Sequence, residues 1–359
     1  MVKPILLFIL GLVLLIKGGD WFVDGAVGVA RRFRLPEILI GATVVSIGTT
    51  LPEVMVSATS AVQGQSEMSY GNAVGSIICN AALIAAVTIA VRPGAVNRRS
   101  MKLPVVFFFL SAVLYCAVSY FAGTFARPVG IVLLAIFLVY MILSVREAKR
   151  NPLPALAEGQ APEAVNKPME FSPEAATVGS DVPEEQPKTD APDPSAEKKK
   201  ARLALLKDLA FLIVGAALIA VGARLLVDNG TELAQKMGVP STVIALTFVA
   251  LGTSLPELIT AITSLVKGHS ALSIGNIIGA NLFNLVLVSG LSITLRPFDV
   301  PATSFIGGVN TSLVIDLPLM ACVMLILTVP ALLRGKLARW QGILLLCLYA
   351  GFCVFQFVI

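Results

Sequence analysis

The chain has 359 residues, of which 56% are hydrophobic and only 14% charged, and its mean hydropathy is +0.86. That balance excludes a soluble globular protein and reads as a polytopic membrane protein whose first partner is the lipid bilayer. No enzymatic activity and no nucleic-acid partner are expected. The net charge of +5 reports where the loops lie rather than an anionic partner.

Apolar stretches of about 20 residues, the length needed to span, fall near 3–25, 36–62, 69–91, 103–122, 128–146, 208–228, 239–266, 271–295, 305–331 and 340–358. The expected fold class is therefore all-α, with ten transmembrane helices in two sets of five. The first stretch continues through Lys17, Asp20 and Asp24 and resembles a segment of the second half, so it reads as a helix rather than a cleaved signal peptide. The five cysteines, Cys79, Cys116, Cys322, Cys347 and Cys353, have no ligand spacing and read as small core residues.

Positive residues settle the expected orientation. Arg31, Arg32 and Arg34 follow the first stretch; Arg92, Arg98, Arg99 and Lys102 follow the third; Arg146, Lys149, Arg150, Lys198, Lys199, Lys200 and Arg202 flank the middle of the chain; Arg334, Lys336 and Arg339 follow the ninth. In a ten-helix chain all fall on one side, which the positive-inside rule makes cytoplasmic. Both termini are then outside, in what reads as a prokaryotic cytoplasmic membrane.

Between the halves, residues 151–200 are proline-rich, acidic and poor in aromatic residues, a composition that cannot offset its ordering entropy. They read as a disordered cytoplasmic linker between a first repeat, 1–150, and a second, 201–359. The repeats keep a constant offset of 204 (257 − 53) from Gly18/Gly222 through Asp24/Asp228, Pro36/Pro240, Thr43/Thr247, Gly64/Gly268 and Asn72/Asn276 to Asn80/Asn284. An odd number of helices separates the copies, so the repeat has inverted topology.

At the centre of each repeat is a hexapeptide: Gly48-Thr49-Thr50-Leu51-Pro52-Glu53, and Gly252-Thr253-Ser254-Leu255-Pro256-Glu257. Hydroxyls, a proline and a carboxylate are costly inside an apolar segment, so a doubled cluster of them is a functional-site hypothesis. Pro52 has no N–H and crowds the carbonyl of Gly48, which predicts a kink or break that frees backbone carbonyls. The next helix carries Asn72, Ser76 and Asn80 at four-residue spacing, matched by Asn276, Ala280 and Asn284. The candidate ion-binding segments are thus 41–84 and 245–288. All the ligands are hard oxygens, and two glutamates balance one divalent cation of loose geometry, which favours calcium.

These segments resemble the alpha repeats of the cation/calcium antiporter superfamily, most closely the prokaryotic sodium/calcium exchangers, whose repeats contain G-T-S-L-P-E followed by G-N-x-x-G-S-N-x-x-N. The resemblance implies calcium and sodium as transported ions, with no cofactor. It also implies Glu53 and Glu257 as central calcium ligands, with the carbonyls of Thr49 and Thr253 beside them and Asn80 and Asn284 completing the centre. Thr50, Ser254, Ser76 and the carbonyls near Ser46 and Ala250 are implied for flanking sodium sites, while Asn72 and Asn276 stand between ligation and a structural role. The chain departs from the family pattern at Ala280, where serine is usual, at Ile77, where asparagine is usual, and at Asn284, where some relatives have aspartate.

The expected function is secondary active calcium/cation antiport, extruding calcium against sodium by alternating access. The alternatives are proton- or potassium-coupled calcium exchange or, from another class, a cation channel. Asp24 and Asp228 read as interfacial pairs, Asp316 as local structure because its repeat position is Ala112, and His269 as a solvated loop residue.

Overall fold

The computed structural model describes residues 2–33, 35–150, 194–236, 252, 254–302, 305–306 and 308–358. Most of the linker, and the segment containing Ala250 together with Thr253, lie outside the described residues. Among those described, eight helices are long and apolar enough to cross a membrane and two shorter apolar helices accompany them. In chain order they are α1 Val2–Arg32, α2 Glu37–Val62, α3 Ser66–Val91, α4 Arg98–Phe121, α5 Arg127–Arg150, α6 Pro194–Lys236, the shorter α7 Leu255–Val266, α8 Ser270–Leu295, α9 Ser312–Arg334 and the shorter α10 Arg339–Val358.

Contacts between helix ends separate the molecule into two poles. At one pole Ala95 bridges to Lys336, His269 Nδ1 meets Glu37 Oε1 at 2.8 Å, Arg32 pairs with Asp208 at 3.3 Å, and Lys267 pairs with Asp24 at 2.8 Å and Asp20 at 3.5 Å. At the other, the two-residue strands β1 Thr124–Phe125 and β2 Phe298–Asp299 pair antiparallel, and Tyr120 Oη donates to the carbonyl of Leu313. His269 is therefore a half-buried partner of Glu37, not a solvated residue: the short turn after α7 presses it onto the start of α2.

The interior belongs to α2, α3 and α8. In its most apolar window α8 is 83% buried, whereas α6 is 17% buried, so α8 is a core element and α6 a flank. On that flank α1 and α6 pack through glycines that recur every seven residues along one face of α1: Gly18 meets Gly215, Gly11 meets Gly222, and Gly25 meets the backbone of Asp208 and Leu212. A Cβ on Gly18 would lie 2.9 Å from Ile219 N, and one on Gly215 would lie 2.5 Å from Phe22 N, so the backbones themselves are in contact. Lipid tails are as apolar as leucine, and close backbone packing of this kind replaces the hydrophobic drive that water would supply. Leu15, Phe22, Val23, Ala26, Leu212 and Ile219 form a core separate from the main one.

Proline costs are met locally. Pro330 inside α9 cannot donate to the carbonyl of Ile326, and Gln341 of α10, fully buried, donates Nε2 to that carbonyl at 2.7 Å. Gln341→Leu leaves this acceptor bare and should lower stability by about 1–3 kcal/mol. The check is thermal denaturation of the detergent-purified protein; an unchanged midpoint would mean the carbonyl finds another donor.

Candidate functional site

Glu53 sits in α2, which runs as an α-helix from Ser46 to Val62 with Pro52 inside it, preceded by a π-helical turn at Gly41–Val45. The expected break at Pro52 is thus absent. The irregularity lies one to two turns earlier, where the wider π turn offers carbonyls that α-helical bonds do not use. Ser46 Oγ donates to Gly41 O at 2.7 Å, and Tyr140 of α5 donates to Ala42 O at 2.8 Å. In the second half, α7 has Ser254 as its N-cap, Pro256 in the first turn and Glu257 directly after it. That placement sets a carboxylate at the positive end of the helix dipole.

Pro52 and Pro256 line one narrow crevice together with Gly48, Thr49, Phe22 and Ile219, so the two hexapeptides meet between α1, α2, α6 and α7. Glu53 and Glu257 are fully buried and close enough to interact electrostatically, and none of their four carboxylate oxygens has a hydrogen-bond partner among the described residues. Thr49 lies beside Glu257.

Both asparagines of the polar rows open π turns, Asn80–Ala85 in α3 and Asn284–Val288 in α8. Each turn packs on the opposite half: that of Asn80 against α7 and that of Asn284 against α2. The amide oxygens and nitrogens of both residues are buried without partners, as are Thr50 Oγ1 and Ser254 Oγ. A buried polar group left in that condition costs about 1–3 kcal/mol, and an ionised one costs more. A hard cation that accepts oxygens in loose geometry relieves several of these costs at once, and the donor set fits calcium or sodium as cargo. Among the described residues no group of three or more His, Cys, Asp or Glu side chains gathers, so the acidic content of the centre is two carboxylates.

The remaining candidates separate. Ser76 is buried on α3 and Ala280 on α8, at equivalent repeat positions. Asn72 Nδ2 donates to Glu53 O at 3.2 Å and to Ser57 Oγ at 2.8 Å within its own half, which is a supporting role. Asn276 instead crosses between halves: its Oδ1 accepts from Ser46 Oγ at 3.3 Å and Thr49 Oγ1 at 3.2 Å, and its carbonyl accepts from Ser46 Oγ at 3.0 Å. Ala250 and Thr253 lie outside the described residues.

Three contributors have no site role in the sequence reading, although two of them are the glycines of the second motif. Gly275 and Gly279 let α8 touch the π turn of α2, since a Cβ on Gly279 would lie 2.5 Å from Ala42 Cα and one on Gly275 would lie 2.8 Å from Ile38 Cα. Their spacing of four was the available signal. Cys79, next to Asn80, packs beside Ser254 and Glu257; nothing in its sequence context marks it.

The sequence profile described as "Sodium/calcium exchanger protein" matches residues 3–146 and 207–358. The chain belongs to the sodium/calcium exchanger family. Members similar to it include the inner membrane protein YrbG of Escherichia coli, 33% identical over 313 residues, which cover 87% of this chain and 86% of YrbG. The sodium/calcium exchanger MaX1 of Methanosarcina acetivorans is 30% identical over 359 residues, covering 99% and 98% of the two chains. The solved structure of the sodium-calcium exchanger NCX_Mj, from crystals soaked with sodium and no calcium, superposes with a TM-score of 0.73 at 27% identity, covering 97% of both chains. Residues 147–206 of this exchanger-family chain, which contain the whole of the expected linker 151–200, lie outside the profile match.

Proposed function

We propose that this protein is a calcium/cation antiporter that extrudes calcium from the cytoplasm in exchange for sodium, by alternating access to one buried site. The observation that carries the reading is the meeting of the two hexapeptides at one crevice, with Glu53 and Glu257 fully buried and their carboxylate oxygens, like the amides of Asn80 and Asn284, without hydrogen-bond partners among the described residues. Membership of the exchanger family and the likeness to MaX1 and NCX_Mj support the same function.

In this reading Glu53, Glu257, Asn80, Asn284 and the carbonyls of Thr49 and Thr253 hold calcium. Thr50, Ser254, Ser76 and the carbonyls near Ser46 and Ala250 hold sodium. Two carboxylates facing each other in a low dielectric repel unless cations neutralise them. The site therefore takes one calcium or several sodium ions but not both, and exchange follows if the helices rearrange only when that charge is balanced. Asn72 and Asn276 act as supports rather than ligands.

The architecture we propose is ten membrane crossings in two inverted repeats, with termini outside and the linker cytoplasmic. The sorting of helix ends into two poles supports the alternation, and Arg98, Arg99, Lys336 and Arg339 beside the Ala95–Lys336 bridge support a cytoplasmic assignment for that pole. The test is calcium uptake into vesicles preloaded with sodium, with potassium, or with only a pH gradient. Uptake driven by sodium alone is expected. Uptake driven only by potassium or protons would change the coupling ion, and leak-like uptake without any gradient would indicate a channel.

Ala280 has no hydroxyl where the other repeat has Ser76, so one flanking sodium position is short of an oxygen. Ala280→Ser should raise apparent sodium affinity about two- to fivefold, the order of one hydrogen-bond-strength ligand, while moving calcium affinity little. Calcium flux against sodium concentration measures the first and sodium-free calcium binding the second. Identical sodium curves would refute the flanking role of this position.

A further inference from the structure

The inverted repeat places the same small construction at each pole. The C-terminus of α2 ends in Gly64, at φ +82°, with Gly64 N donating to Ala61 O at 3.0 Å and Gln65 N to Ser60 O at 2.8 Å. The C-terminus of α7 ends in Gly268, at φ +84°, with Gly268 N donating to Leu265 O at 3.2 Å and His269 N to Ser264 O at 2.7 Å. These are matching Schellman caps, which satisfy some of the last carbonyls of each helix but not all.

An arginine from the other half meets each cap. Arg296, just past α8, donates Nη1 to Val62 O at 3.3 Å; Arg92, just past α3, donates Nη1 to Leu265 O at 3.3 Å. The two arginines are repeat equivalents (296 − 92 = 204), and each ends its helix in the same way, Arg92 N bonding Thr88 O and Arg296 N bonding Ser292 O, both at 2.9 Å. Each also lines a vestibule of equivalent composition: Arg92, Val96 and Ser270 at one pole, and Arg296, Val300 and Ser66 at the other. A cation at a helix C-terminus opposes the negative end of the dipole, and the arginine fork fixes direction as well as charge.

The geometry points to Arg92 and Arg296 as a matched pair of positioning residues, each pinning the outer end of the other half's glutamate-bearing helix and so governing ion access at its own pole. Arg92 acts on α7 at the pole of the Ala95–Lys336 bridge, and Arg296 acts on α2 at the opposite pole. α7 is short, and Glu257 lies about 12 Å from the pinned Leu265 at 1.5 Å per residue. A swing at the cap is therefore carried to the carboxylate by a rigid rod. The vestibules also differ in charge: Glu67 and Asp299 line only the larger one, of about 440 Å³, while their repeat equivalents are Ala271 and Ala95. The larger vestibule therefore faces a cation with two carboxylates as well as the pinning arginine.

This inference rests on the exchanger reading, and two measurements keep the two separable. The first is calcium transport in right-side-out and everted membrane vesicles. Arg92→Gln should raise the calcium KM about fivefold, the order of one ordinary net hydrogen bond, when its own pole faces the bath, and should change it less than about twofold in the other orientation. Arg296→Gln should do the reverse, and Arg→Lys at either position should recover part of the loss. The second is hydrogen exchange of the purified protein, in which Arg92→Gln should accelerate amides 263–269 only and Arg296→Gln amides 59–65 only. Equal KM shifts in both orientations would mean general destabilisation and overturn the proposal, as would unchanged exchange at both caps. Absence of calcium uptake by the unsubstituted protein would overturn the exchanger reading instead, leaving the pinning to be decided by the exchange data.

Discussion

Replacing Glu53 or Glu257 with glutamine is expected to lower calcium exchange at least about 100-fold while the protein remains folded. The amide keeps the volume but removes one of two charges from a fully buried centre, and it introduces donors where the carboxylate oxygens had no hydrogen-bond partner. A loss of about 3 kcal/mol from one missing charge contact in a low-dielectric site accounts for that factor. Stability in ion-free buffer should hold or rise, because a neutral side chain is easier to bury than a carboxylate facing another carboxylate. Flux in vesicles and melting in detergent together separate the two effects. Near-normal exchange by both variants would refute the two-carboxylate centre, and unfolding of both would recast the glutamates as structural.

Gly275→Val is expected to be nearly as damaging, by a different route. A Cβ at this position meets the carbonyl of Ile38 and lies 2.8 Å from Ile38 Cα, so α8 and the start of α2 must separate to admit it. Overpacking of this kind costs about 1–3 kcal/mol or more. The separation also breaks the Asn276 bonds to Ser46 and Thr49, which join the halves next to Glu257. Both melting temperature and calcium affinity should fall. Gly351→Val, where a Cβ meets nothing within 4 Å, is the control and should leave both unchanged. Equal behaviour of the two variants would show that the contact between α2 and α8 is unimportant.

The apolar helices were legible because apolar length is a property of the chain itself. The glutamates were legible because a carboxylate in an apolar run is costly wherever the helix goes. The local geometry was not. Both Asn80 and Asn284 open π turns, and one inserted residue per turn leaves no trace in a short apolar pattern. Pro52 suggested a break, yet its helix continues from Ser46 to Val62, since packing on both sides holds a helix through a single lost bond.

Asn72 and Asn276 make the sharper point. Their positions in the repeat are equivalent, but Asn72 supports its own half while Asn276 bridges to the other. The two segments share residues but not hydrogen-bond partners. Likewise the pairing of Arg92 with α7 and Arg296 with α2 needed coordinates: in sequence the two arginines are only loop charges on opposite sides.

The central claim is that one buried oxygen site serves both ions in turn. Equilibrium binding of radioactive calcium to the purified protein, titrated with sodium at constant ionic strength, tests it directly. A single calcium per chain, displaced completely and with a sigmoidal sodium dependence, and absent from the Glu53→Gln and Glu257→Gln variants, is the predicted result. Calcium that stays bound at saturating sodium, or that binds undiminished to both glutamine variants, would contradict it.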